Sequence, residues 1–331
     1  MKPWLYRTAG ILVSVVFVYL AVRQVDLSES LRALGNVRPL WLLSATLVYL
    51  TSCPIRAQRW RLILRAQKSL SLGQTLVSLF VGYMANNLLP ARAGELYRMH
   101  FLGRRACISR SGVLASIVVE RTFDGLMLGF FMMLTFLLFP EERLLGTAAL
   151  VLGAIVMLLA AGIIFHVLRV DRGHGLFDKA IELLPGRLEE FASGRLKLFS
   201  RGMRGISTAG SAAEAGVYTV VIWGLELLAY TLAVLAFGVS LPLSGYLLVY
   251  TLAALGTALP SGPAYVGPYQ YAFVLALGVF AVSRETALAV SVGAQVALLG
   301  SVTVVGLVLL VREQLRGGAP KQDIPQEKRV V

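Results

Sequence analysis

Hydrophobic positions in this chain come in long runs separated by short charged segments. From Ala215 to Ser283 the only Asp, Glu, Lys or Arg is Glu226, and residues 144–168 and 286–311 contain none. Runs of this length exceed the roughly 20 apolar residues that cross a bilayer. The pattern predicts spans near 4–22, 39–55, 111–139, 144–168, 215–238 and 286–311. Two further apolar regions, 70–108 and 242–283, are interrupted near their middles, by Asn86-Asn87…Pro90 and by the Pro- and Gly-rich stretch Leu259–Pro268. Proline removes a backbone donor and clashes with the preceding turn, while glycine permits strained φ, so neither region is expected to run as one helix. The expected fold is an all-α polytopic membrane bundle with about six full spans and two re-entrant helical hairpins.

Composition agrees, with 57% hydrophobic and only 15% charged residues, against roughly a quarter charged in soluble domains. The formal net charge of +13 raises nucleic acid as a partner, but the basic residues lie in short segments beside apolar runs, which argues against it. Arg56, Arg59, Arg61, Arg65 and Lys68 form an acid-free cluster, residues 92–110 hold five Arg against Glu95 alone, and 169–213 holds eight Lys/Arg against five acids. Arg23–Arg38 and Pro140–Arg143 are nearly balanced or acidic. By the positive-inside rule the first group and both termini are cytoplasmic and the second group is external, in a multi-pass protein of the cell membrane. Region 70–108 then starts and ends inside, and 242–283 starts and ends outside. The order span, span, hairpin, span thus occurs twice with opposite orientation, over about 4–139 and 144–311, which is the pattern of an inverted-topology repeat.

The membrane domain is accordingly expected over 1–311. Within it, 169–213 reads as a cytoplasmic amphipathic insert, and 312–331 reads as a disordered cytoplasmic tail. The N-terminus carries Lys2 and Arg7 before an apolar run but no small-x-small site, so it reads as an uncleaved first span. Cys53 and Cys107 are expected as free thiols, and His100, His166 and His174 are too scattered for metal ligation. No metal and no cofactor are expected.

Candidate chemistry lies where charge meets broken backbone. Ionisable groups at membrane depth usually mark a polar pathway, and irregular backbone is tolerated there only where it is buried or lines a wet cavity. Arg92, Glu95 and Arg98 recur at a spacing of three, so a helix starting near Pro90 would present them on one face, with Asn86 or Asn87 as side-chain caps. Such a helix start, strengthened by Arg92, suits an anion, and phosphate fits. Alternatively, the three residues pair with one another or snorkel to headgroups. In the third span, Glu120 and Asp124 share a face and Arg121 is set to pair with Asp124, at a network that could serve either function or structure. The second break offers Tyr265, Tyr269 and Gln270 for a headgroup pocket, or as interfacial residues. Glu226 is either a proton- or cation-coupling group or a residue hydrogen-bonded at a helix contact. Arg56, Arg59 and Arg61 around Trp60 read as a span anchor that could also gather anionic lipid.

At these residues the chain resembles a known family. Arg56…Arg59-Trp60, Asn87-Leu88-Leu89-Pro90-x-Arg92-x-Gly94-Glu95-x-x-Arg98, Glu120-Arg121-x-x-Asp124 and Pro260-Ser261-Gly262-Pro263-Ala264-Tyr265-Val266-Gly267 together are similar, in the same order, to the transmembrane region of lysylphosphatidylglycerol synthases, the flippase-like family. In full-length synthases a soluble aminoacyl-transferase domain follows. These 331 residues hold no counterpart, so the resemblance implies the lipid-translocating part rather than the synthase activity. Gln270 stands where relatives often place Glu or another polar residue, which weakens any acid-dependent role there.

The function expected is movement of an anionic phospholipid or polyprenyl-phosphate-linked lipid between leaflets. The alternatives are an integral-membrane glycosyltransferase-type enzyme of a polyprenyl-phosphate glycan pathway and a non-catalytic accessory subunit in envelope-lipid biogenesis. Membrane lipids are the expected partners, with envelope-biogenesis enzymes as candidate protein partners.

Overall fold

The computed structural model describes residues 3–23, 25–138, 143–169, 206, 208–259 and 261–315. The 140–142 connection, most of the 169–213 insert, Pro260 and residues 316–331 lie outside them. Among the described residues every regular element is helical: α1 (Pro3–Val22), α2 (Leu27–Gly35), α3 (Pro39–Leu64), α4 (Leu72–Leu88), α5 (Gly94–Ala106), α6 (Arg110–Leu138), α7 (Arg143–Arg169), α8 (Ala209–Leu235), α9 (Leu243–Ala258), α10 (Pro268–Gly278) and α11 (Arg284–Leu315). Short 3₁₀ turns at Pro90–Arg92 and Pro263–Tyr265 sit in the two breaks, and a π-helical turn interrupts α11 at Gln295–Leu299.

Local sequence explains several of the helix starts. Asp26 accepts from the Ser28 backbone amide at 2.8 Å and caps α2. Ser71 and Gln74 form a reciprocal capping box on α4, and Ser283 caps α11 through Thr286. Each satisfies amides that the first turn leaves without partners. Helix α3 runs nine residues past the expected end at 55, because its arginines find acids on neighbouring helices and so do not end it.

Helices α3, α8 and α11 are long and apolar enough to cross a membrane. Leu40, Leu43 and Leu47 on α3, Val217, Val220 and Val221 on α8, and Val304, Val308 and Val311 on α11 are exposed apolar residues at helical spacing. Such stripes would aggregate in water but match a bilayer. The protein is an integral membrane protein, all-helical among the described residues.

Packing joins elements from before residue 139 to elements from after residue 142. Helices α3 and α8 lie against each other and run antiparallel. At one end the Arg38 amide donates to the Ala236 carbonyl at 2.8 Å; towards the other, Arg59 reaches Thr219 on α8. Helix α4 pairs with α5 and α9 with α10, and the first member of each pair also packs on a helix distant in the chain, α4 on α11 and α9 on α6. Close approach needs glycine: a Cβ on Gly94 would come within 2.2 Å of the Asn86 amide nitrogen, and one on Gly306 within 2.5 Å of the Phe80 carbonyl oxygen. The two breaks touch each other. Because α4 starts beside the end of α3 while α9 starts beside its beginning, the breaks approach from opposite ends of the bundle.

Candidate functional site

Between the two breaks lies a cavity of about 360 Å³, walled by α3, α4, α5, α6, α8, α9, α11, the 3₁₀ turn at Arg92 and the tip at Tyr265. Its lining combines Arg56, Arg92, Arg121, Glu95, Asp124 and Glu226 with Asn86, Asn87 and six aromatic side chains, Tyr49, Tyr83, Trp223, Tyr230, Tyr250 and Tyr265.

Helix geometry assembles the charges. Arg56, Arg59 and Trp60 share one face of α3, and Glu120, Arg121 and Asp124 lie within a turn or so on α6. The Arg56 Nε donates to Glu226 Oε1 at 2.9 Å, and the Tyr250 hydroxyl donates to Glu226 Oε2 at 2.9 Å. Arg59 is fully buried; its Nη1 donates to Asp124 Oδ1 and Thr219 Oγ1, both at 2.8 Å, and its Nη2 lies 3.6 Å from Glu120 Oε1. On the other side of Glu120, Arg98 Nη2 donates to Oε2 at 2.9 Å while its guanidinium lies 3.5 Å from the centre of the Trp60 ring. Arg121 joins Glu95 at 2.9 Å and Asp124 at 3.2 Å. Four guanidinium groups and four carboxylates thus form one continuous network. In a medium that solvates ions poorly, each charge requires such a partner.

Arg92 stands apart. Its Nε donates to the Thr257 carbonyl at 3.0 Å across the junction of the two breaks, and its guanidinium lies over the Tyr265 ring, 5.9 Å from its centre. No carboxylate comes within ion-pairing distance of it among the described residues. Its backbone is left-handed, with φ 57°.

Of the residues singled out in the sequence, Asn86, Asn87, Arg92, Glu95, Arg121, Asp124, Tyr265 and Glu226 line the cavity. Arg98 and Glu120 lie behind it, as a buried pair that holds α5 to α6. Tyr269 is fully buried with its hydroxyl 3.3 Å from that of Tyr230, and Gln270 bonds the Gly267 amide at 2.8 Å and Gln295 at 2.6 Å, so both stabilise the second break from within. The helix expected from Pro90 begins instead at Gly94, after a 3₁₀ turn that ends on left-handed Arg92. Neither asparagine caps it. Asn87 donates to the carbonyl of Leu299, the last residue of the π turn of α11, at 3.0 Å, and the Asn86 side-chain oxygen has no hydrogen-bond partner. As a result Arg92, Glu95 and Arg98 have three different neighbours rather than one shared face.

Sequence reasoning did not place Arg56 and Arg59 in this site; it read them as a membrane-edge anchor. Their spacing of three and the lone Glu226 were the available signal, since an acid in a long apolar run needs a base. Tyr83, Tyr230 and Tyr250 were also missed. Mid-helix tyrosines within apolar stretches, away from the interfacial belt, are a hint that a polar interior lies nearby.

Residues 7–306 match the family described as "Lysylphosphatidylglycerol synthase TM region". The glycosyltransferase AglD of Haloferax volcanii is 27% identical over 347 aligned residues, covering 90% of this chain and 53% of that protein. A UPF0104 membrane protein of Pyrococcus horikoshii is 28% identical over 322 residues, covering 88% of this chain and 91% of that protein. The chain therefore spans about half the length of the Haloferax relative. No solved structure matches it.

Proposed function

We propose, for a chain that belongs to the lysylphosphatidylglycerol synthase transmembrane-region family, that the cavity receives the polar headgroup of an anionic phospholipid or polyprenyl-phosphate-linked lipid and passes it between leaflets. The acyl or prenyl chains stay in the bilayer. The observation that carries this reading is the charged cavity itself, enclosed by two backbone breaks in a chain otherwise made of apolar helices. In this reading α4/α5 and α9/α10 are re-entrant hairpins of an inverted repeat, six helices span the cell membrane, and both termini are cytoplasmic. Antiparallel packing of α3 on α8 supports the repeat, and the contact between the two breaks supports a substrate site at their junction.

The likeness to a protein named glycosyltransferase supports a second reading, an enzyme acting on a polyprenyl-phosphate sugar. Against it, Glu95, Glu120, Asp124 and Glu226 are each engaged by arginine, so none is poised as a general base. Purified protein in liposomes with fluorescent headgroup-labelled lipids separates the readings. Lipid scrambling is the expected outcome, with Arg92→Ala slowing it roughly tenfold or more and Arg92→Lys retaining part of the rate, because lysine supplies charge without the planar fork. Chemical conversion of the headgroup would favour the enzyme, and neither activity would favour an accessory subunit of an envelope-lipid assembly.

A further inference from the structure

The balance of charge around the cavity specifies its ligand further. Arg56, Arg59, Arg98 and Arg121 are matched by Glu95, Glu120, Asp124 and Glu226 in one network of ion pairs, so that network is neutral as a unit. Arg92 is additional. It faces the same cavity, holds one carbonyl and one ring face, and has no counter-charge among the described residues. The lining alone holds three arginines and three carboxylates; with Arg59, Arg98 and Glu120 directly behind it, the described residues hold five arginines against four carboxylates, a surplus of one positive charge. Among helices that solvate ions poorly, a ligand of charge −1 cancels it, a zwitterion leaves it, and a cation doubles the imbalance.

From this we infer that the cavity selects a phosphodiester monoanion, seated on Arg92, over zwitterionic headgroups and over headgroups made cationic by an added amino acid. One further feature fits a phosphodiester bearing hydroxyl groups: the aromatic side chains that line the cavity offer faces and hydroxyls to a small polyol. Arg92 occupies a left-handed backbone position, which L-residues adopt only when their surroundings hold them there, and its neighbours across the junction are Thr257 and Tyr265 of the opposite break. An anion bound to Arg92 would therefore touch both halves of the molecule.

This inference rests on the headgroup-binding reading above and is tested without any transport assay. Detergent-purified protein is titrated with short-chain phosphatidylglycerol, phosphatidylcholine and lysylphosphatidylglycerol, and separately with glycerophosphoglycerol and inorganic phosphate, with bound ligand counted by native mass spectrometry. Phosphatidylglycerol is expected to bind roughly tenfold or more tightly than the zwitterionic and cationic lipids, as one uncompensated charge in a poorly solvating site dictates. Arg92→Ala should reduce phosphatidylglycerol to the level of phosphatidylcholine, and Arg92→Glu should reverse the order in favour of lysylphosphatidylglycerol. Should Arg92→Ala or Arg92→Glu fail to fold, Arg92→Gln, compared at matched thermal stability, gives the same reading. Equal affinity for lysylphosphatidylglycerol in the native protein, or an unchanged preference in a folded Arg92 variant, overturns the inference. Inorganic phosphate binding as tightly as phosphatidylglycerol overturns its lipid part and assigns a free-phosphate site. A protein that shows the predicted preference but does not scramble lipid retains this inference and loses the transport reading.

Discussion

At the scale of single residues, the same side-chain type performs two distinct tasks. Arg98 is buried on Trp60 with its charge committed to Glu120, so Arg98→Ala leaves Glu120 dependent on the longer contact to Arg59 alone. Removing one partner of a buried ion pair typically costs about 3–5 kcal/mol, and thermal unfolding in detergent should show a large loss of stability. Arg92→Ala removes one bond to a carbonyl and a ring contact and should shift unfolding far less while removing anion binding. Equal destabilisation by the two substitutions would contradict the division into neutral network and surplus cation. The sequence made Arg92, Glu95 and the Glu120–Asp124 group legible, because charge in an apolar run is expensive wherever it falls. It hid Arg56 and Arg59, because arginine at the end of an apolar run is also what membrane topology requires, and composition alone does not tell the two uses apart.

Elements show a similar division between what sequence marks and what packing decides. Both interruptions were legible from Pro and Gly, whereas the helix start at Gly94 was not. That start follows from left-handed Arg92, for which the sequence gives no sign, and from the crossing of α5 over α4 at a residue with no side chain. A methyl on Gly94 would meet the Asn86 nitrogen at 2.2 Å and the Gly82 carbonyl oxygen at 2.4 Å. Both are backbone atoms, so the helices must separate, and overpacking of this kind costs about 1–3 kcal/mol or more. Gly94→Ala should therefore lower folded yield and stability. Because α5 follows directly from the Arg92 turn, it should also weaken phosphatidylglycerol binding. Gly224→Ala on the exposed face of α8, where a Cβ meets nothing within 4 Å, is the control and should be neutral or mildly stabilising. If the two variants behave alike, close crossing at Gly94 is not what sets the first break.

At the scale of the whole molecule, the question is how the bundle sits in its membrane, and chain connectivity makes this testable. Helix α3 begins beside the end of α8, and α4 and α9 leave from opposite ends of that antiparallel pair. If each broken pair dips in and returns, the residues before and after it must lie on the same side of the bilayer. The positive-inside rule puts the first pair's flanks in the cytoplasm and the second pair's flanks outside. Asn36, Ser69, Ser240 and Ser283 are exposed residues in connections flanking these elements, and native Cys107 is exposed at the end of α5, while Cys53 is buried. Single cysteines at the first four positions in a Cys107→Ser background, and Cys107 itself in the native chain, can be labelled with a membrane-impermeant maleimide in intact and in permeabilised cells. Positions 36, 240 and 283 should label from outside. Positions 69 and 107 should label only after permeabilisation. Opposite labelling of 69 and 107 would turn α4/α5 into a full crossing, and opposite labelling of 240 and 283 would do the same for α9/α10. Either result would break the parity on which the inverted repeat depends. The predicted pattern would instead bring two half-membrane breaks to the midplane from opposite faces, where a headgroup at Arg92 and Thr257 is within reach of either leaflet.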